Sequence, residues 1–362
     1  MTVLSQAFKL PAGLTYPLTA MAAYTELTAD LLEELADDYG FGRISNAAPI
    51  PQGSVNSNYL LETAKGKYLL RIDEAKGEME VKREIDLLSF LHKHSFPCPH
   101  PLQDRKGRYY RDYRSRCLSV SKFAEGRMVA PQGLRLSQLE AVGHTLAELH
   151  VVGKGYKKGI DNRFSFERVA DLYNNVRNRL PTYFRRITRT LDDEIDYLNR
   201  YLETKLPKGI IHGDLFADNM LFRGERLITV LDFEAACRGK FIFDIATAVN
   251  ALCFVDGQYS LERFRHLLRG YESLRTLSLA EWDAFPNELR YSSLRFTVTR
   301  LRDFFLQPND GVTREHKDFR EFFERLRILR REKSGGMEAL LMAMATGYDY
   351  RKYQKIRASE KP

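Results

Sequence analysis

The chain has 362 residues, 44% of them hydrophobic, and a formal net charge of +8. A length of that order supports two or three packed lobes, and the apolar share is that of a globular protein, which excludes general disorder. No window approaches the roughly eighteen uninterrupted apolar residues of a membrane span, and the stretch 241–255 carries Asp244 and Asn250. The opening residues make a poor secretory leader, because Pro11 and Pro17 interrupt their apolar character. Cys98, Cys117, Cys237 and Cys253 form no Cys-x-x-Cys pair and no zinc spacing with histidine, so reduced thiols in a cytoplasmic protein are expected. The basic excess gathers in Arg177, Arg179, Arg185, Arg186 and Arg189, and again in Arg325, Arg327, Arg330 and Arg331. Acids lie beside both groups and no aromatic-spaced nucleic-acid module accompanies them. Solvated helix faces are expected there, with no nucleic-acid partner and no membrane partner.

Along the chain, residues 1–20 read as an irregular extension and 332–362 as another, holding a short apolar patch at 339–345. A helix is expected from Thr28, a capping residue before Leu31, Leu32 and Leu35, with Gly40 and Gly42 as its stop. From Pro49 to Asp73 two strands flank the turn Ala64-Lys65-Gly66. The small residues Gly53, Ser54 and Asn56 stand where a loop of backbone N–H groups could approach phosphates. Arg71 closes the second strand. Glu84 follows on an amphipathic helix whose stripe is Ile85, Leu87, Leu88 and Leu91, and the two charges are expected to pair and orient phosphates. A surface Arg71 and a solvent-facing Glu84 are the alternative. Two more strands cover Tyr109-Tyr110 and 117–123. Lys122 to Ala124 then marks a passage between lobes, where backbone groups would meet an adenine. Residues 136–150 are strongly helical; His144 and His150 on them read as surface or satisfied core histidines. One or two helices fill 166–203, with a break at Pro181.

The stretch GIIHGDLFADNMLFRGERLITVLDFEAACRGKFIFD, 209–244, carries the chemistry. An apolar run turns at His212-Gly213-Asp214, Asn219 follows five residues after Asp214, and a second apolar run ends at Asp232-Phe233-Glu234. Phosphoryl transfer needs this set: a carboxylate to receive or orient the acceptor's proton, and an amide oxygen plus a second carboxylate to hold Mg²⁺ against the phosphates of ATP. Asp214 takes the first role, Asn219 and Asp232 the second, with His212 supporting the loop. A lone Asp or Asn after a strand is a turn residue, but their conjunction between two strand-like runs is specific. Asp244, expected to open a helix over 244–252, is placed to bind the loop's backbone or to cap that helix.

These motifs resemble the aminoglycoside phosphotransferase and choline kinase superfamily. The segments MAAYTEL, GSVNSNYLLET and FPCPHPL upstream, and FDIATAVNALCF, LLRGYESLRTLS, LRYSSLRFTVTRLRDFF and HKDFREFFERLRILR downstream, look like the second type of bacterial homoserine kinase. That resemblance spans Met21 to about Arg331. It implies an α+β, two-lobed, protein-kinase-like fold: a β-rich nucleotide lobe over 21–123, a helical lobe over 124–331, and ATP with Mg²⁺ between them. It also implies transfer to the hydroxyl of a small amino acid or amino alcohol, homoserine first. For an acceptor with both charges, Arg295 and Arg302, two turns apart, suit the carboxylate, and Asp218 or Glu234 the ammonium. Another hydroxylated amine, or a nucleotide-binding module without turnover, are the alternatives.

Overall fold

A computed structural model describes residues 25–50, 56–306 and 317–331. Gly53 and Ser54, and both terminal extensions, lie outside the described residues. The chain begins with α1 (Ala29–Tyr39), capped by the Thr28 hydroxyl and closed at Gly40. Then come β1 (Ile44–Pro49), β2 (Ser57–Thr63), β3 (Gly66–Asp73), α2 (Glu78–Lys93), β4 (Tyr110–Tyr113) and β5 (Arg116–Lys122). The five strands form one antiparallel sheet in the order β1-β2-β3-β5-β4. β1 had no signal of its own in the sequence; its residues alternate weakly and pair with β2 only at a sheet edge. On β3 the side-chain alternation decides the architecture. Tyr68, Leu70 and Ile72 bury one face against Leu31 and Leu35 of α1, which leaves Arg71 to the opposite face, toward α2.

After Lys122 the chain is mainly helical, with α3 (Leu136–Gly153), α4 (Phe166–Arg177) and α5 (Arg185–Tyr201). The expected break at Pro181 falls between the last two. Two small antiparallel ribbons follow, from β6 (Lys208–Ile211), β7 (Met220–Arg223), β8 (Arg226–Val230) and β9 (Cys237–Lys240), pairing β6 with β9 and β7 with β8. They lead into α6 (Phe241–Leu252), α7 (Leu261–Glu272), α8 (Leu279–Phe305) and α9 (Phe319–Arg331). A large apolar core joins α2, α3, the ribbons, α6 and α7; a second joins α4, α5, α8 and α9.

Helix α8 is buried on nearly every side from Ala284 to Leu301, so its polar residues must find partners inside the lobe. Arg290 forks onto Glu194 at 2.7 and 2.6 Å, Arg300 meets Glu321 at 2.8 Å, and Glu288 takes Lys240. Of the basic groups expected on solvated faces, Arg179, Arg185, Arg186, Arg189 and Arg331 are exposed, whereas others have partners. Arg177 binds Asp192 at 2.8 Å, Arg330 binds Asp193 at 3.3 Å, and Arg325 stacks on Phe254 and Phe322 at 4.6 and 4.5 Å. Among the described residues no helix is long and apolar enough to cross a membrane.

Helices α3 and α7 cross backbone to backbone. A Cβ on Gly143 would fall 1.8 Å from the Leu267 carbonyl oxygen, and one on Gly270 the same distance from that of Glu140. Gly143→Ala must therefore force the two helices apart. We expect a loss of about 3 kcal/mol by chemical denaturation, against the roughly 1 kcal/mol that alanine gains over glycine inside a helix. A variant as stable as the parent would show that the crossing is looser than this.

Candidate active site

β6 delivers Ile210 and Ile211 into the core, and the chain turns at His212-Gly213-Asp214. Gly213 has φ +74°, and a Cβ there would sit 3.0 Å from the Ala235 carbonyl, so any other residue strains the turn that presents Asp214. His212 is fully buried with both ring nitrogens committed. Nδ1 accepts the Asp214 N–H at 3.2 Å, which requires the proton on Nε2, and Nε2 then donates to the Leu231 carbonyl at 2.9 Å. A ring fixed this way braces the loop.

Leu231 ties the two halves of the site together. Its N–H donates to the Asn219 carbonyl at 2.8 Å while its own carbonyl takes the His212 proton, so Asp232 is set beside Asn219. The Asn219 side-chain amide donates to the Asp214 carbonyl at 2.8 Å, which turns Oδ1 away as an oxygen donor. Asp232 adopts a left-handed conformation, φ 58° and ψ 71°, that is rare for a side chain with a Cβ. The residue is exposed, with the charges of Glu234, Arg71 and Asp214 near it. Desolvation, then the like charge of Glu234, push its pKa up, with Arg71 working against them. A carboxylate and an amide oxygen side by side form a hard donor set of the kind Mg²⁺ uses together with phosphate oxygens.

Behind the loop, α6 begins at Phe241, so Asp244 is not its cap. It lies in the first turn, fully buried, and its carboxylate accepts the N–H groups of His212 and Gly213, both at 2.7 Å. His150 donates to the same carboxylate at 3.1 Å and accepts from the Tyr271 hydroxyl at 2.7 Å. Of the two expected readings of His150, the satisfied core histidine holds; His144 bonds Ser273. Burial alone would raise the Asp244 pKa, but His150, His212 and the Gly213 N–H outweigh it and hold it below its ordinary value.

Facing this from the sheet, Arg71 reaches Glu84 of α2 at 3.2 Å, as the pairing expectation required, but also Asp73 at 3.2 Å and Glu234 at 2.5 Å. Lys76, unnoticed in the sequence, joins them at 2.5 Å from Glu84 and 2.8 Å from Glu234. Its signal was available: a lysine in the short loop right after Arg71. Burial works against the Arg71 charge, but Glu84, Asp73 and Glu234 together hold it firmly protonated. Glu234 also accepts from Asn56 at 3.0 Å. Desolvation alone would raise its pKa; Arg71 and Lys76 reverse that and hold it low. Glu234 therefore lies with the sheet's cations rather than in an acceptor pocket.

The remaining expected residues divide. Arg295 of α8 reaches Asp214 Oδ1 at 3.2 Å. Arg302 pairs instead with its neighbour Asp303 at 2.5 Å, two turns away on the half-exposed end of the helix. Asp218 faces outward to Lys317 at 2.6 Å, both about half exposed. At the passage between lobes, the Lys122 and Phe123 N–H groups donate to the His100 and Lys67 carbonyls, and the Ala124 peptide has no partner among the described residues.

The profile of the phosphotransferase enzyme family matches residues 46–277. The chain belongs to this family. It is a small-molecule kinase of the two-lobed, protein-kinase-like, α+β fold. A homoserine kinase of Parvibaculum lavamentivorans is 34% identical over 313 residues, covering 86% of this chain and 96% of that protein. One from Agrobacterium fabrum is 32% identical over 312 residues, covering 86% and 96%. In structure the chain is similar to an amicoumacin kinase solved with AMP-PNP and Ca²⁺, with a TM-score of 0.63 at 18% identity over 84% of this chain and 92% of that one. It is also similar to a microcompartment-associated aminopropanol kinase, TM-score 0.57 at 19% identity over 85% and 98%. At those identities the likeness is one of fold.

Proposed function

We propose that the protein transfers the γ-phosphoryl group of ATP, with Mg²⁺, to the side-chain hydroxyl of L-homoserine. The observation that carries this reading is the match to homoserine kinases over nearly their whole lengths, in a chain that keeps a carboxylate, an amide and a second carboxylate around one turn. Asp214 is the carboxylate for the acceptor. Its Oδ1 is taken by Arg295, and Oδ2 has no partner among the described residues, so the hydroxyl docks there. Asp214 orients that hydroxyl and receives its proton as the oxygen bonds to the γ-phosphorus and the bond to the β-phosphate oxygen breaks, releasing ADP. Asn219 Oδ1 and Asp232 would hold Mg²⁺, which supplies charge neutralisation on the phosphates. Arg71, Lys76 and Asn56 are the phosphate-side donors, with Glu84 and Glu234 holding the two cations in place, and the Ala124 peptide meets the adenine. Of the acids first considered for the ammonium, Glu234 is bound by three donors and Asp218 by Lys317 on the outer face, so neither is assigned to it. His212 and Asp244 act by positioning the loop. The four cysteines are unpaired thiols, in keeping with a reducing, cytoplasmic setting.

The test is ADP release with Mg-ATP against a panel of hydroxylated amines led by L-homoserine. Homoserine is expected to give the highest kcat/KM. Asp214→Asn, which keeps the shape and loses the proton acceptor, is expected to lower kcat by roughly 10²- to 10⁴-fold. Turnover only with another amine would keep the mechanism and discard this acceptor; undiminished turnover in the variant would discard the role of Asp214.

A further inference from the structure

Arg295 has a partner in Asp214, but its environment is built for a second anion. It is 3% exposed, and its Nε is buried with no hydrogen-bond partner. The guanidinium rests on two rings, 4.1 Å from the centroid of Phe164 and 3.7 Å from that of Phe296. The same Phe164 ring carries another guanidinium, that of Arg163, at 5.0 Å. Arg163 is exposed and has no ion-pair partner among the described residues. Two cations thus lean on one phenyl ring, and among the described residues only Arg295 has a carboxylate partner, Asp214. Burial and the Arg163 charge both work against the Arg295 charge, and Asp214 offsets them incompletely.

The loop that holds Arg163 is braced on three sides. The Ile160 carbonyl accepts the Arg238 N–H of β9 at 3.0 Å. The Asn162 side chain accepts the Phe164 N–H at 2.9 Å, closing a local turn. The Phe164 carbonyl accepts the Tyr291 hydroxyl of α8, the helix that bears Arg295. The two arginines are therefore held relative to each other by α8 and a fixed turn.

We infer that Arg163 and Arg295 together form the site for the acceptor's carboxylate, with Arg163, and not Arg302, as the second arm and the residue that selects carboxylate-bearing acceptors. This rests on the small-amino-acid reading above. The division of charge supports it: Arg71 and Lys76 stand on the sheet side among acids, whereas Arg163 and Arg295 stand on the helical side of Asp214, where an acceptor must lie for in-line transfer. A planar carboxylate suits guanidinium donors, and one ring fixing both preorganises them.

The test compares the parent enzyme with Arg163→Ala and Arg163→Gln on L-homoserine and on 3-amino-1-propanol, the same acceptor without its carboxylate, with the KM for Mg-ATP measured alongside. Arg163 is exposed, so its truncation leaves the packed core intact, and thermal melting checks this. We expect a homoserine KM roughly tenfold higher in both variants, the size of one charge-assisted hydrogen bond. Aminopropanol kinetics and the KM for Mg-ATP should stay within about twofold of the parent by the same reasoning, since neither contact involves Arg163. An unchanged homoserine KM, or equal losses on both acceptors, would overturn the carboxylate site while leaving the homoserine reading intact. If the parent instead uses a different amine, the homoserine reading falls. The same pairwise comparison on that amine, with and without a carboxylate, then decides the site, and a parent indifferent to the carboxylate overturns it.

Discussion

Asp232→Ala is expected to lose phosphoryl transfer altogether while the protein stays folded. A divalent cation at a phosphoryl-transfer site contributes several kcal/mol to the transition state, so losing its carboxylate ligand should cost roughly three orders of magnitude or more in kcat/KM. Stability should move the other way, or not at all. Asp232 is held in a left-handed turn, in a desolvated setting and against the like charge of Glu234, so removing its charge relieves more than it breaks. Asp232→Asn separates the two effects, because asparagine tolerates the same backbone and keeps the contour. For the asparagine variant we expect a melting temperature equal to or above the parent's and equally absent turnover. A readout independent of turnover is the extra thermal stabilisation that Mg²⁺ adds to bound ATP, present in the parent and missing in the variant. Transfer retained in Asp232→Asn, or a full Mg²⁺ effect on its melting, would move the metal elsewhere.

The second large effect is expected from Asp244→Asn, and here fold and activity fall together. The carboxylate takes two backbone N–H groups of the catalytic loop and the His150 ring, all buried. An asparagine offers one oxygen where these donors need two, and turns its own N–H₂ toward one of them. An unsatisfied buried donor and a lost charge-assisted set together should cost about 3 kcal/mol or more of stability. Because the displaced groups belong to His212 and Gly213, Asp214 shifts with them, and kcat should drop by roughly 10²-fold, the size that a misplacement of about 1 Å carries. The pH dependence gives a further signature. Asp244 is held below its ordinary value of 3.8. Its contribution is therefore present above that value and lost as pH falls through the lower folded one, so the stability gap between parent and variant should narrow only in acid. His150 is lowered from 6.5, mainly by burial. The folded state thus resists its protonation, and stability falls as pH drops below about 6.5 in both proteins. A variant with parental stability and kcat would show that the loop holds itself.

How far the chain could be read before folding follows from where each signal lies. The spacing of Asp214, Asn219 and Asp232 is local: a turn and a ribbon bring these residues together, so linear distance carries the geometry. The Thr28 cap, the hairpin at Ala64-Lys65-Gly66 and the stripe Ile85-Leu87-Leu88-Leu91 are local too, and each was legible. A lysine in a loop, such as Lys76, is ordinarily a solvated charge, and only the packing of α2 on β3 folds it onto Glu84 and Glu234. Glu234 reads in the sequence as an acid available to an acceptor's ammonium; the turn at Asp232 sends it to Arg71 and Lys76 of the sheet side instead.

What the sequence by itself determined is the reaction class, because the short-range spacing of Asp214, Asn219 and Asp232 survives in one dimension, and through the resemblance those motifs carry it implied the lobed α+β architecture. What only the tertiary structure decided is which charges meet. Arg295 and Arg302 are equivalent on a helical wheel, yet one is buried onto Asp214 and the other bonds its neighbour at a half-exposed end. His150 and Asp244, 94 residues apart, share a proton-bonded contact that no spacing announces. Electrostatic partnership depends on distance in space and on exclusion of water, and both are set by how α6, α7 and α8 pack around the loop.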